Sequence, residues 1–290
     1  MEIINKTIVG SQLYGLATPE SDTDIKGLFL PKKENMIPSK EQILGITPFT
    51  PHQKQEFKDE EKNVEGILFS AKYFIELYLK GNPTLAEIPF AKKEFVIEET
   101  ELGGRILKFV RENMVTRHLF GGYMGFFHDQ LHAFDRGKGR SREKRLRAGS
   151  ELPKGFNIPA ELESEFNKGN DAKKGTVEEV RHLLIAQGWY DGKMMSHAYR
   201  IGYQGVELFN TGTMKPTLEG ESLDIALRMK KLGDINGHPD RISREDAIAM
   251  VTKLGSDLED AKNNSPLATD VDKDKVNKFL IEFQEEYYGN

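Results

Sequence analysis

The chain has no cysteine and a single tryptophan among its 290 residues. Without thiols, disulfide bridges and thiolate-ligated metals are excluded, and a reducing compartment, the cytoplasm, is the expected location. No apolar run approaches the roughly 20 residues a bilayer-spanning helix needs, so no membrane association is expected. The opening residues, Met1-Glu2-Ile3-Ile4-Asn5-Lys6, lack the basic start and long apolar core of a signal peptide. Excess positive charge is lacking too: the net charge is −5, so any attraction for nucleic acid must come from a local patch. What remains, 38% hydrophobic and 30% charged residues, fits a soluble globular protein with one large domain or two modest ones.

The pattern along the chain predicts an α+β protein. Ile3-Ile4 and Thr7-Ile8-Val9 are strand-like and end at Gly10; Ile25–Leu30 alternates as a strand does and stops at Pro31. Residues 32–55, with three prolines, read as loop. Glu65–Phe69 is a third strand, after which Ser70 caps a helix from Ala71 to about Lys80, with Gly81 as its stop. From Glu101 onward apolar residues recur at helical spacing in seven segments, beginning near Leu102, Leu119, Val177, Met194, Ser222, Arg244 and Asp272. The expected organisation is a sheet-bearing domain over residues 1–95 and a helical domain over 96–290. A polar, flexible basic insertion is expected around 136–175.

Two short motifs carry the chemistry. Asp22 and Asp24 stand two apart, so on a strand they project from one face with α-carbons about 6–7 Å apart. Two such carboxylates repel each other unless a cation neutralises them, and the spacing suits bridging divalent ions held about 3.5–4 Å apart. Upstream, Gly10-Ser11 at a strand end allows close backbone approach and offers N–H and hydroxyl donors to phosphate oxygens. An isolated Asp-x-Asp is usually a solvated turn, and an isolated Gly-Ser is usually only a turn. Together and in this order they supply the two parts that nucleotidyl or phosphoryl transfer requires.

The string Gly10-Ser11, Tyr14-Gly15, then Ser21-Asp22-Thr23-Asp24-Ile25-Lys26-Gly27 resembles the signature of the DNA polymerase β superfamily of nucleotidyltransferases. More narrowly, the first 90 residues resemble a bacterial and phage family of nucleotidyltransferases associated with RNA repair. That family has a helix ending in Lys-Gly-Asn-Pro followed by a glutamate, matched here by Lys80-Gly81-Asn82-Pro83 and Glu87. A looser likeness continues through Gly121-Gly122-Tyr123 and the helix bearing His197 and Arg200. The resemblance implies a third acid at the start of the strand before the Lys-Gly-Asn-Pro helix. Glu65 aligns there, one methylene longer than the family's usual aspartate, with Asp59, Glu60 and Glu61 as competitors.

The resemblance further implies two Mg2+ ions on Asp22, Asp24 and Glu65, and a nucleoside triphosphate held by Gly10, Ser11 and Ser21. It implies transfer of a nucleoside monophosphate to an acceptor hydroxyl, with an RNA or tRNA 3′ end as the expected acceptor. Two other readings stay open: a toxin or defence transferase that modifies a protein or tRNA, and a non-catalytic nucleotide- or RNA-binding module. Lys80 and Asn82 are further nucleotide-binding candidates, or simply a helix end with its cation and stop signal. His197, Arg200 and Gln204 share a helical face that either meets the nucleotide or is plain helix surface.

Between Arg136 and Arg147, seven of twelve residues are basic: Arg136, Lys138, Arg140, Arg142, Lys144, Arg145 and Arg147. In an acidic protein this run is the expected anchor for RNA phosphates, against the alternative of a solvated loop. His128 and His132 fall four apart, but Asp129 replaces the glutamate of the zinc-protease motif and no third ligand is evident, so a zinc site is rejected.

Overall fold

The computed structural model describes residues 1–19, 21–32, 53–136, 154–168, 174–233 and 235–289. Its sheet has five strands: β1 (Glu2–Val9), β2 (Thr23–Leu30), β3 (Lys54–Asp59), β4 (Val64–Ser70) and β5 (Val96–Glu99). They lie in the order β3-β4-β2-β1-β5, with β2 at the centre. β2 runs parallel to β4 and antiparallel to β1, so the sheet is mixed. The inner position explains the composition of β2, whose Ile25, Gly27, Leu28, Phe29 and Leu30 are buried. The outer β3, Lys54-Gln55-Glu56-Phe57-Lys58-Asp59, is polar and largely exposed, as suits an edge.

A single helical turn, α1 (Gly10–Leu13), follows β1, and α2 (Ala71–Leu79) follows β4. Ser70 caps α2 by accepting from the Tyr73 N–H, and Gly81 ends it in the left-handed region at φ +71°. A second reason for glycine appears at Gly122: a methyl group there would lie 1.8 Å from the Gly81 carbonyl oxygen, so the chain passes this close only without a side chain. Next comes α3 (Glu101–Asn113), capped by Thr100, whose hydroxyl accepts from the Gly103 N–H at 3.2 Å.

Further α-helices among the described residues are α4 (Phe120–Arg136), α5 (Ala160–Phe166), α6 (Lys174–Ala186), α7 (Gly192–Thr211), α8 (Gly220–Leu232), α9 (Arg244–Asn263) and α10 (Lys273–Tyr288). Among the described residues no helix is long and apolar enough to cross a membrane.

The chain forms two compact units. The first takes in residues 1–123, 207–218 and 264–290. Its core includes Ile4, Leu13, Leu28, Phe74, Tyr78, Ile106 and Val110, all fully buried. α10 belongs to this unit and stacks Phe279 on Phe109 of α3, with ring centroids 3.9 Å apart and planes within 7°. Burial pushes the Tyr78 phenol well above its usual range. The second unit, residues 124–206 and 219–263, holds an apolar cluster of Phe156, Phe166, Val180, Leu184 and Trp189. There the Arg241 guanidinium lies 5.1 Å from the Tyr190 ring centre and donates to the Gly188 carbonyl at 2.5 Å.

Three elements depart from the expectations. β3 occupies Lys54–Asp59, where residues through 55 read as loop and no strand is expected between them and Glu65. β5 falls in a stretch with no strand signal, and α5 lies within the polar stretch expected as an insertion. β3 is an edge strand with no apolar alternation, and β5 has only four residues, so neither leaves a periodic trace.

Candidate active site

The site forms at one end of the central strand. Asp24 is the second residue of β2, Asp22 immediately precedes the strand, and Glu65 is the second residue of β4. In the parallel pairing Asp24 stands directly opposite Glu65, so their side chains rise from the same face of the sheet. The result is a group of three carboxylates, each with one oxygen within 4.8 Å of those of the other two, with Asp22 and Glu65 exposed and Asp24 half-buried. Ionised carboxylates at about 4 Å repel by about 1–4 kcal/mol per pair across water-like to surface-like dielectrics. A divalent cation relieves that repulsion, and an all-oxygen donor set is the kind that magnesium prefers.

The register also sets Asp59 apart from this group. Asp59 pairs with Val64, one residue from Glu65, and therefore projects from the opposite face. Its carboxylate accepts from the Lys62 N–H at 3.1 Å, which holds it below the usual carboxylate range. Glu60 pairs with Lys58 at 3.1 Å, and Glu61 sits in the same exposed turn.

On the other side of Asp24, β1 ends at Val9, which pairs with Asp24, and the chain then turns sharply at Gly10. Gly10 has φ +66°, and a methyl group on it would lie 2.1 Å from Asp24 Oδ2. Both the backbone angle and the space admit only glycine, so the backbone here touches the carboxylate. The turn is tied in place: the Tyr14 N–H donates to the Gly10 carbonyl at 3.1 Å and the Leu16 N–H to that of Ser11 at 2.8 Å. Gln12 Nε2 donates to Thr23 Oγ1 at 2.7 Å, fastening the turn to the residue between the two aspartates. Ser21 is used by its own loop, its hydroxyl accepting from the Thr18 N–H at 2.9 Å.

Residues 1–282 match the family model RlaP, whose description is "RNA repair pathway DNA polymerase beta family". The chain belongs to that family. Membership supports a nucleotidyltransferase and agrees with the acidic cluster, since the family is polymerase β-like. Over 190 residues the chain is 27% identical to a protein of Enterobacteria phage T4, described as an uncharacterized 38.9 kDa protein in the nrdC–mobD intergenic region. The match covers 63% of this chain and about half, 53%, of that protein's length. No solved structure matches.

Lys80 is exposed just past the end of α2, and the Asn82 side chain accepts from the Thr84 N–H at 3.0 Å and its hydroxyl at 2.8 Å. Asn82 thus caps the short turn Pro83–Leu85. His197 and Arg200 lie on α7 within the second unit; Arg200 and Gln204 are buried, and Arg200 Nη1 donates to Gln204 Oε1 at 2.7 Å. Arg136 closes α4, while Lys138, Arg140, Arg142, Lys144, Arg145 and Arg147 fall outside the described residues.

Three motif residues of this RlaP-family chain, Tyr14, Lys26 and Glu87, meet at the Glu87 carboxylate. Glu87 is buried, with the Tyr14 hydroxyl 2.9 Å from both of its carboxylate oxygens and Lys26 Nζ 3.5 Å from one. Lys26 Nζ also donates to the Thr84 carbonyl. In sequence, the signal available was a charged Lys26 between Ile25 and the buried run Gly27–Leu30, which calls for a partner.

Proposed function

We propose that the chain is a metal-dependent nucleotidyltransferase that moves a nucleoside monophosphate from a nucleoside triphosphate to the 3′ hydroxyl of an RNA or tRNA, releasing pyrophosphate. Residues 1–95 form the catalytic domain in this reading, and the helical remainder serves the acceptor. The supporting observation is the convergence of Asp22, Asp24 and Glu65 within 4.8 Å beside a glycine backbone that touches Asp24.

Asp22, Asp24 and Glu65 supply the carboxylate ligands for two magnesium ions. Bound there, the ions offset the phosphate charge and favour ionisation of the attacking hydroxyl. Ser11 and the Gly10–Ser11 backbone donate to the β- and γ-phosphate oxygens, and Ser21, Lys80 and Asn82 complete the nucleotide contacts. Glu65 orients the acceptor hydroxyl. The acceptor oxygen bonds to the α-phosphorus as the bond to the oxygen bridging to the β-phosphorus breaks in line; the hydroxyl proton passes to solvent and pyrophosphate departs. Arg136, Lys138, Arg140, Arg142, Lys144, Arg145 and Arg147 anchor the RNA backbone, an interaction that weakens with salt.

The test supplies each of four α-labelled triphosphates with magnesium and total RNA, intact or oxidised with periodate at its 3′ ends. Label on intact RNA alone, lost in Asp22→Ala, supports the proposal. Label on oxidised RNA contradicts a 3′ acceptor, and label on protein instead of RNA moves the acceptor to a protein side chain.

A further inference from the structure

We infer that Glu87 is a positioning residue for the Gly10–Ser11 turn and for Asp24, acting through Tyr14 on one side and Lys26 on the other; this rests on the carboxylate cluster being the transferase site. A buried carboxylate is unfavourable unless it is paired and hydrogen-bonded, so a fold that retains one gains a fixed point where its partners meet. Glu87 is 4% exposed and meets two partners from separate elements of the site.

The first partner, Tyr14, closes the turn that begins at Gly10: its N–H donates to the Gly10 carbonyl and its hydroxyl reaches Glu87. The second, Lys26, stands two residues after Asp24 on β2, on the same face of the central strand. Lys26 also donates to the Thr84 carbonyl in the turn that Asn82 caps, so the Lys-Gly-Asn-Pro segment and Glu87 grip one lysine together. Glu87 therefore fixes the distance between the turn and the strand. That distance matters because Gly10 already touches Asp24, leaving no slack for the turn to shift without moving the carboxylate. The turn is braced from behind as well, where Thr217 Oγ1 donates to the Leu13 carbonyl at 2.8 Å and the Leu218 N–H to that of Tyr14 at 3.2 Å.

A role in folding alone would lower the melting point and leave the folded site unchanged. A positioning role loosens the turn at temperatures where the rest of the protein stays closed. The experiment follows amide exchange in the full chain for wild type, Tyr14→Phe and Glu87→Gln, each well below its melting midpoint. Tyr14→Phe removes one hydroxyl and keeps the ring, so it decides the matter if Glu87→Gln does not fold. We expect the amides of Tyr14, Gly15 and Leu16 to exchange at least tenfold faster in Tyr14→Phe, with Ile25–Leu30 unchanged, and the KM for the triphosphate to rise at least fivefold. Turn amides within twofold of wild type, or exchange that rises equally across residues 1–100, overturn the assignment. Wild-type protein that turns over no triphosphate refutes the transferase reading instead, and the exchange rates still decide the role of Glu87.

Discussion

Glu65 stands directly opposite Asp24 on the neighbouring parallel strand, and this pairing brings together carboxylates that are 41 residues apart in the sequence. A register shifted by one residue would turn Glu65 to the other face of the sheet. The length of the side chain is then secondary to its place. Glu65→Gln should reduce transfer at least about a hundredfold, since even groups that only orient a metal ligand contribute 10–100-fold. Glu65→Asp, which restores the family's usual residue, should retain activity within about tenfold. Steady-state rates at saturating magnesium check both.

Asp24 is the most constrained of the three, flanked by Glu65 on β4 and by Gly10 at the end of β1. Asp24→Asn should lower transfer by more than about a hundredfold on the same reasoning. Binding of Mn2+ in place of Mg2+, followed by electron paramagnetic resonance, should weaken with it. Normal ion affinity in Asp24→Asn would remove Asp24 from the metal site.

Gly10 gives a prediction that does not pass through charge. Gly10→Ala puts a methyl group 2.1 Å from Asp24 Oδ2 at φ +66°. The backbone strain alone should cost about 1–3 kcal/mol, visible as a lowered melting temperature. The displaced carboxylate should weaken Mn2+ binding as well, whereas a destabilised protein with wild-type ion affinity would show that the contact serves folding only.

How much of this was legible beforehand follows from what leaves a local trace. Asp22, Asp24 and the Gly10-Ser11 turn sit within fifteen residues of one another, and strand periodicity puts both aspartates on one side. Ser70 and Gly81 announce the ends of α2 by cap chemistry alone. Glu65 needed the parallel pairing of β2 with β4, which no local pattern encodes; only alignment with the family favoured it over Asp59. β3 and β5 escaped because an exposed edge strand and a four-residue strand carry no alternating apolar pattern. The partnership of Lys26 with Glu87 spans 61 residues and likewise comes from tertiary packing.

Within the first unit, Arg105 Nη1 donates to both oxygens of Glu286, at 2.7 and 2.8 Å, and holds that carboxyl below its ordinary value. A lowered folded-state value means the contribution is present above the unfolded glutamate pKa and disappears as pH falls through the folded one. Both side chains are about half exposed, so the stability effect is small. The titration of Glu286 is the better observable. By carbon-detected magnetic resonance, Arg105→Met should move its midpoint upward; an unmoved midpoint would remove Arg105 as the cause.

Chelation separates metal-dependent from metal-independent chemistry. Addition of EDTA should abolish transfer, and excess magnesium should restore it fully, because two of the three carboxylates are exposed and the core is built from apolar side chains. Melting curves with and without EDTA should therefore differ by only the few degrees expected from ligand linkage. Transfer that persists in EDTA would show that the carboxylates act without a cation.

The most direct measurement follows one nucleoside triphosphate labelled in turn on its α and its γ phosphorus. With magnesium and acceptor RNA, the α label should appear on the acceptor and the γ label in released pyrophosphate. Both should vanish in Asp24→Asn. Label from the γ position on the acceptor would make the reaction a phosphoryl transfer, and undiminished transfer by Asp24→Asn would place the chemistry elsewhere in the chain.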